Sequence, residues 1–364
     1  MSTDEHAATP VQAGPQDPRS GRRFGRLDLG SITPLIFFVL LIAVFGVAAP
    51  EFFLSGENLT SILNNGAVTA LLACGLTAVL IVGEFDLSIA AAASFGGAVA
   101  AVLVAHEHVS LLPTFLVVVA AGVVAGLVNG ILVTKFEIPA LIVTIGVSSL
   151  LDGLTLWVTG NTVIFTGFTD AFMTFGNWRI GDLQAPVFYL VAAAAFLGVM
   201  LRYTPTGRHM YATGGNRAAS RLAGIRVQRQ VVLAFVISGV LGSVAGLVYT
   251  ARQGSLTPQF GTAFLLPVFA ACFLGSVTLT RRKFHILGTV LGVYLIETGT
   301  NGLLILGAPA FTQQLFAGAV LILATVGARY RTVSFHSQRR PLAETGKPGM
   351  RRSRERPQRG DSDE

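Results

Sequence analysis

Leu111–Thr134 reads LLPTFLVVVAAGVVAGLVNGILVT, a stretch without a single charged residue. A run of about 18 or more apolar residues is long enough to cross the hydrocarbon core of a bilayer as a helix. Ile89–Ala105 and Val187–Leu201 are equally free of charge. Working outward from these runs, apolar segments fall at 33–49, 61–82, 88–105, 111–134, 138–158, 187–201, 231–250, 264–280, 286–305 and 311–327. Composition agrees. The chain is 52% hydrophobic and 12% charged, about half the charge of an ordinary soluble domain. Glycine, at 41 residues, far outnumbers proline at 15, a bias that suits close helix packing in lipid. The expected fold is all-α: a polytopic membrane helix bundle of about ten transmembrane helices spanning residues 31–330. Residues 1–30 and 331–364 are polar and lack an apolar period, and are expected to be disordered cytoplasmic tails.

The charges orient the bundle. With an even number of spans both termini share a side. If that side is the cytoplasm, 24 of the 26 basic residues fall inside. They comprise four arginines before the first span, Lys135, six arginines from Arg202 to Arg229, the Arg281–Lys283 triplet and ten residues after the last span. Only Arg179 and Arg252 fall outside. This is the asymmetry that the positive-inside rule demands, and moving one span would scramble it. Tyr203 and Tyr330 at inner ends and Trp157 at an outer end suit an aromatic belt. Spans two to five begin outside and spans seven to ten begin inside, so the two groups would be related as inverted repeats, an arrangement that builds alternating-access pathways.

Several function classes drop out. The net charge of +7 sits in tails and loops, as topology requires, and does not point to nucleic acid. Cys74 and Cys272 lie inside apolar runs, not at metal-ligand or redox spacing. Arg22-Arg23-Phe24 resembles a twin-arginine export signal, but nine further apolar segments make the first a retained anchor. Gly214-Gly215 invites a phosphate-loop reading that fails, because a Walker motif needs GxxxxGK[ST] and none of Lys135, Lys283 and Lys347 stands in one. No metal site and no cofactor is indicated.

The remaining motifs concern packing and transport. Gly122, Gly126 and Gly130 form GxxxGxxxG; Gly242/Gly246 and Gly288/Gly292 repeat the spacing. Small residues four apart open a groove for a neighbouring helix. Gly83-Glu84-Phe85-Asp86-Leu87-Ser88 separates spans two and three, and Asp86 is placed to cap the helix that follows. Asp152 and Glu297 stand inside spans, where a carboxyl is costly and usually functional; Asn301 accompanies Glu297. Asp86, Ser88, Asp152, Glu297 and Asn301 are the candidates for a translocation path. The largest cytoplasmic loop, Arg202–Gln230, holds a short helix that Asn216 would cap and Gly224 would end. Ala218, Ala219, Leu222 and Ala223 share one of its faces.

These residues carry a family likeness over about residues 55–330. The chain resembles the permease subunits of bacterial ATP-binding-cassette (ABC) sugar importers, the ribose/xylose-type branch. Gly83-Glu84-Phe85-Asp86-Leu87-Ser88-Ile89 is similar to that family's Gly-Gly-Ile-Asp-Leu-Ser-Val signature. Thr206-Gly207-Arg208, Tyr211-Ala212, Gly214-Gly215-Asn216, Ala218-Ala219 and Gly224-Ile225 resemble its coupling loop. Arg252, Ser255, Pro258 and Gly261, then Gly288-Thr289, Gly292 and Asn301-Gly302-Leu303, extend the likeness. It departs at Leu266-Pro267-Val268, where relatives carry Leu-Asp-Ala, and at Thr280–Phe284, where they carry a glycine-rich turn. The resemblance implies a passive permease domain at 31–330 in the bacterial cytoplasmic membrane. ABC ATPase subunits would bind inside, through Arg208, Gly214, Gly215, Asn216, Ala218, Ala219, Leu222 and Gly224. A solute-binding protein would dock outside, and a second permease copy or a paralogue would complete the path. A proton-coupled secondary transporter using Asp152 or Glu297 is the alternative.

Overall fold

The computed structural model describes residues 29–277 and 283–337. The expected tails, apart from the residues at their inner edges, lie outside the described residues, as do Arg281 and Arg282. Fourteen α-helices follow in chain order: α1 Leu29–Ala48, α2 Pro50–Phe53, α3 Gly56–Ile81, α4 Ile89–Ala101, α5 Leu111–Lys135, α6 Ala140–Thr159, α7 Asp170–Asn177, α8 Ala185–Tyr203, α9 Pro205–Gly215, α10 Arg217–Leu222, α11 Val227–Gln253, α12 Leu265–Val277, α13 Ile286–Ile305 and α14 Phe311–Ser337. A π-helical turn, Val102–His106, prolongs α4, and a 3-10 turn, Phe260–Phe264, leads into α12. A two-residue ribbon pairs Arg179–Ile180 with Leu183–Gln184.

Seven of these segments are long and apolar enough to cross a membrane: α3, α4 with its π turn, α5, α6, α8, α11, and α12 with its 3-10 turn. The apolar stretches of α1 and α14, Ile36–Ala48 and Phe311–Val326, are shorter. α13 runs 20 residues, but Glu297, Asn301 and three threonines dilute its apolar character. α14 continues as helix to Ser337, so helix occupies positions where a disordered tail was expected from 331. The sequence after Ala328 has no glycine or proline to stop it until the helix has already ended.

Local signals set the helix ends. Ser55 starts α3, its Oγ accepting the Asn58 N–H at 3.1 Å. Pro139 stands immediately before α6 rather than inside it, where its missing N–H costs no helical bond. Gly160 and Gly254 close α6 and α11 in the left-handed region, at φ 61° in both.

α3 and α11 form the interior. Every residue from Gly66 to Ile81 of α3 is buried, so this part of the helix has no outward face. α5, α6 and α8 instead expose Leu116, Val124, Ile142, Leu150, Trp157 and Phe196, an apolar surface suited to lipid. α11 packs against α3, α4 and α5, and glycine sets the spacing. A Cβ on Gly126 would overlap the Phe235 carbonyl oxygen of α11 and lie 2.5 Å from Val236 Cα. Cβ atoms on Gly122 and Gly130 would lie 2.8 and 2.7 Å from Val240 Cα and Val232 Cα. On the other side of α11, Gly246 meets the Ala93 carbonyl, and Gly242 lies against Ile89 and Ala92 of α4. Gly288 and Gly292 of α13 meet the backbone of Gly275 and Ala271 of α12 in the same way.

A methyl group at Gly126 is expected to force α5 and α11 apart, costing about 1–3 kcal/mol as overpacking does. Gly126→Ala should therefore lower the melting temperature of the detergent-solubilised protein. Gly146→Ala on α6, where nothing lies within 4 Å of the added carbon, should leave it unchanged or raise it slightly.

Candidate functional site

The α3–α4 turn is built around one buried carboxylate. α3 ends with Gly83 in the left-handed region at φ 81°, its N–H bonded to the Leu80 carbonyl at 3.1 Å. The chain then turns inward, and Asp86 is only 1% exposed. Its Oδ1 accepts the Ser88 N–H at 2.9 Å and the Ser88 hydroxyl at 2.6 Å. Its Oδ2 accepts the Ser238 hydroxyl of α11 at 2.6 Å. Asn129 of α5 donates through Nδ2 to Ser88 Oγ at 2.8 Å. The backbone N–H that Asp86 takes is that of Ser88, one residue before α4 starts at Ile89. Asp86 and Ser88 are thus brought together in a knot that ties the turn to α5 and α11, and their polar atoms are occupied within the protein.

The Arg202–Gln230 loop lies against the same turn. In the last turn of α9, a Cβ on Gly214 would overlap the Ile81 carbonyl oxygen, so this position admits only glycine. Asn216 Oδ1 accepts the Ala219 N–H at 3.0 Å and opens α10; Gly224, at φ 79°, follows it. Ser220 is the buried residue of α10. Ala218, Ala219 and Ala223 are exposed, and Leu222 is 92% exposed. On the inner side, Arg217 is ion-paired with Glu84 and also donates to the Val82 carbonyl at 3.4 Å. Arg208 is held by the Tyr203 carbonyl at 3.3 Å, and Gly215 is open to its surroundings. A polar cleft of about 400 Å³ lies beside the pair, between Glu84, Arg217, Arg221, the Glu137–Ala140 turn and the start of α11.

The remaining in-membrane residues do not converge with this cluster. Glu297 Oε1 accepts from Thr69 of α3 at 3.3 Å. Asn301, one turn further along α13, buries an Oδ1 without a hydrogen-bond partner. Near Glu297, Arg252 donates to Gln184 Oε1 at 2.9 Å, the Asn64 carbonyl at 3.1 Å and Asn65 Oδ1 at 2.7 Å. The guanidinium thereby joins the ends of α3, α8 and α11. Asp152 stands apart on α6, which packs mainly on α4 and α5; its Oδ1 has no hydrogen-bond partner. Among the described residues no group of His, Cys, Asp and Glu side chains is gathered as for a metal ion.

Residues 58–325 match the family described as the branched-chain amino acid transport system permease component. The chain belongs to this permease family. The ribose import permease protein RbsC of Escherichia coli K12 is 36% identical over 311 residues, covering 84% of this chain and 96% of its own length. RbsC of Bacillus subtilis is 33% identical, over 80% and 91% of the two chains. The L-arabinose ABC transporter permease protein AraH of Azospirillum brasilense is 31% identical, over 85% and 89%. No solved structure matches.

In this permease, sequence reasoning missed Asn129, Ser238, Arg252 and the Glu84–Arg217 pair. Asn129 carried a usable signal, as an amide inside an otherwise apolar run. Arg252 carried one too, as one of the two basic residues that fell outside the expected charge partition. Ser238 did not, since a lone serine is ordinary in a membrane helix.

Removing the buried carboxylate strands three donors, each worth about 1–3 kcal/mol when left unpaired. Asp86→Ala should accordingly lower the melting temperature of the purified permease well below that of Ser238→Ala, which removes one donor and leaves the other bonds to Asp86 in place.

Proposed function

We propose that this permease is the membrane-spanning subunit of an ABC importer for a sugar or similar small polar solute. It resides in the bacterial cytoplasmic membrane with ten spans and both termini in the cytoplasm. α10 carries the ATP-driven part of this reading. A six-residue helix is too short to be stable free in water, yet it holds Ala218, Ala219 and Leu222 away from the protein. Such a face fits a groove on a partner. ABC ATPase subunits are the partner proposed, and ATP hydrolysis belongs to them, since no phosphate-loop motif is present in this sequence. The relatives named for ribose and L-arabinose transport support a sugar as the solute. A solute-binding protein on the outside and a second permease copy or paralogue complete the assembly. Glu297, Asn301 and Asp152 remain the path candidates, because each has an oxygen not taken up by a hydrogen bond to its own protein, though Asp152 stands apart from the other two; Asp86 and Ser88 are committed to the turn.

Placing a carboxylate on the docking face buries an unpaired charge if a partner covers it. Ala219→Glu should insert in the membrane normally, lose uptake and lose its hold on the ATPase subunit during purification. Normal uptake with normal co-purification would remove α10 as the coupling site.

The orientation is tested separately. Single cysteines at Ser20 and Ser353, with Cys74 and Cys272 replaced, should resist an impermeant thiol reagent in intact cells and react once the membrane is opened. Labelling from outside would reverse the topology.

A further inference from the structure

The α3–α4 turn touches both the face proposed for ATPase docking and the interior of the bundle. On one side, Gly214 is seated on the Ile81 carbonyl, and Arg217 grips the Val82 carbonyl and the Glu84 carboxylate. On the other, two residues after Glu84, Asp86 is bonded to Ser238 of α11 and, through Ser88, the turn reaches Asn129 of α5. α5 and α11 are held to each other at backbone distance, so the turn addresses them as one body. The Glu84–Arg217 pair is itself poorly placed to stabilise the fold. The Arg217 side chain is 43% exposed and that of Glu84 13%; with one partner open to solvent, such a pair contributes little to stability. The polar cleft alongside gives α10 room to shift without displacing a packed core.

We propose that Glu84 and Arg217 are the transmission contact of this permease. A displacement of α10 by the ATPase subunit would reach the α3–α4 turn through their ion pair, and the Asp86 knot would pass it to α5 and α11. Both are positioning residues: they touch neither solute nor nucleotide. The inference rests on the reading of α10 as the docking element. It adds that docking and transmission are separable, because Ala218, Ala219 and Leu222 face outward while Arg217 faces its own protein.

A charge-swap cycle tests this in the complete importer, reconstituted with its ATPase subunits and binding protein. Glu84→Arg and Arg217→Glu should each cut ATP-driven uptake by about tenfold or more, a coupling that double-mutant cycles resolve. Both single variants should still co-purify with the ATPase subunits. The double variant, with the charges exchanged, should recover most of the uptake. A purely structural role would instead lower the melting temperature of the single variants in step with uptake. The proposal is overturned if the single variants transport normally, if the exchange restores nothing, if melting temperature and uptake fall together, or if either single variant sheds the ATPase subunits, which would make the pair a docking contact. Failure of the wild-type chain to hold an ATPase subunit would overturn the docking reading and this one together, and is visible before any variant is made.

Discussion

The whole bundle hangs on the closeness with which α11 approaches its neighbours. In lipid there is no hydrophobic gain from bringing two apolar helices together, so association depends on contact and hydrogen bonding at short range. α11 meets α5 across Gly122, Gly126 and Gly130 and meets α4 through its own Gly242 and Gly246. At Gly122, Gly126, Gly130 and Gly246 backbone touches backbone, and no side chain larger than a hydrogen atom fits; at Gly242 the fit is tight. The small polar groups of the interior depend on that approach. Ser238 and Asn129 can reach the α3–α4 turn only because α5 and α11 are drawn this tightly around it.

Burying Asp86 in such a place is expensive unless every lone pair is used. Three donors from two elements offset that cost by engaging both carboxyl oxygens. The result is a turn whose inner edge is fixed by hydrogen bonds and whose outer edge is held by a half-exposed ion pair. The two edges differ in kind: the first resists change, while the second can break and reform at little cost. The turn thus joins a fixed edge and a breakable one in a single connection. The Arg252 bracket at the opposite end of α11, with all its named partners neutral, holds three helix ends and has no loose edge.

How much of this was legible follows from what each feature leaves in a sequence. Apolar run length located α3, α5, α6 and α11 to within a few residues, because a helix crossing lipid cannot hide its length. Asn216 and Gly224 bracketed α10 correctly because capping is local chemistry. The glycine spacings flagged close packing, but no local signal says that the partner of Gly126 is Phe235. The Asp86–Ser88 contact was within reach of a turn two residues long; the bonds onward to Ser238 and Asn129 were not, since they join positions far apart in the chain. Asp152 and Glu297 looked alike in sequence and are unlike in structure. One is bonded to Thr69 beside Arg252, and the other stands on a helix with a largely outward surface.

From Gly66 onward α3 has no side that faces out, and this bears on how the protein is made. Its closest neighbours in the finished bundle include α11, α12 and α13, which emerge from the ribosome long after α3 has been threaded into the membrane. Until they arrive, Thr69 lacks Glu297, Thr77 lacks Thr289 and Asp86 lacks Ser238. The nascent chain must therefore keep this helix sheltered, at the insertion machinery or against α4, and assembly proceeds by closing late helices around an early one.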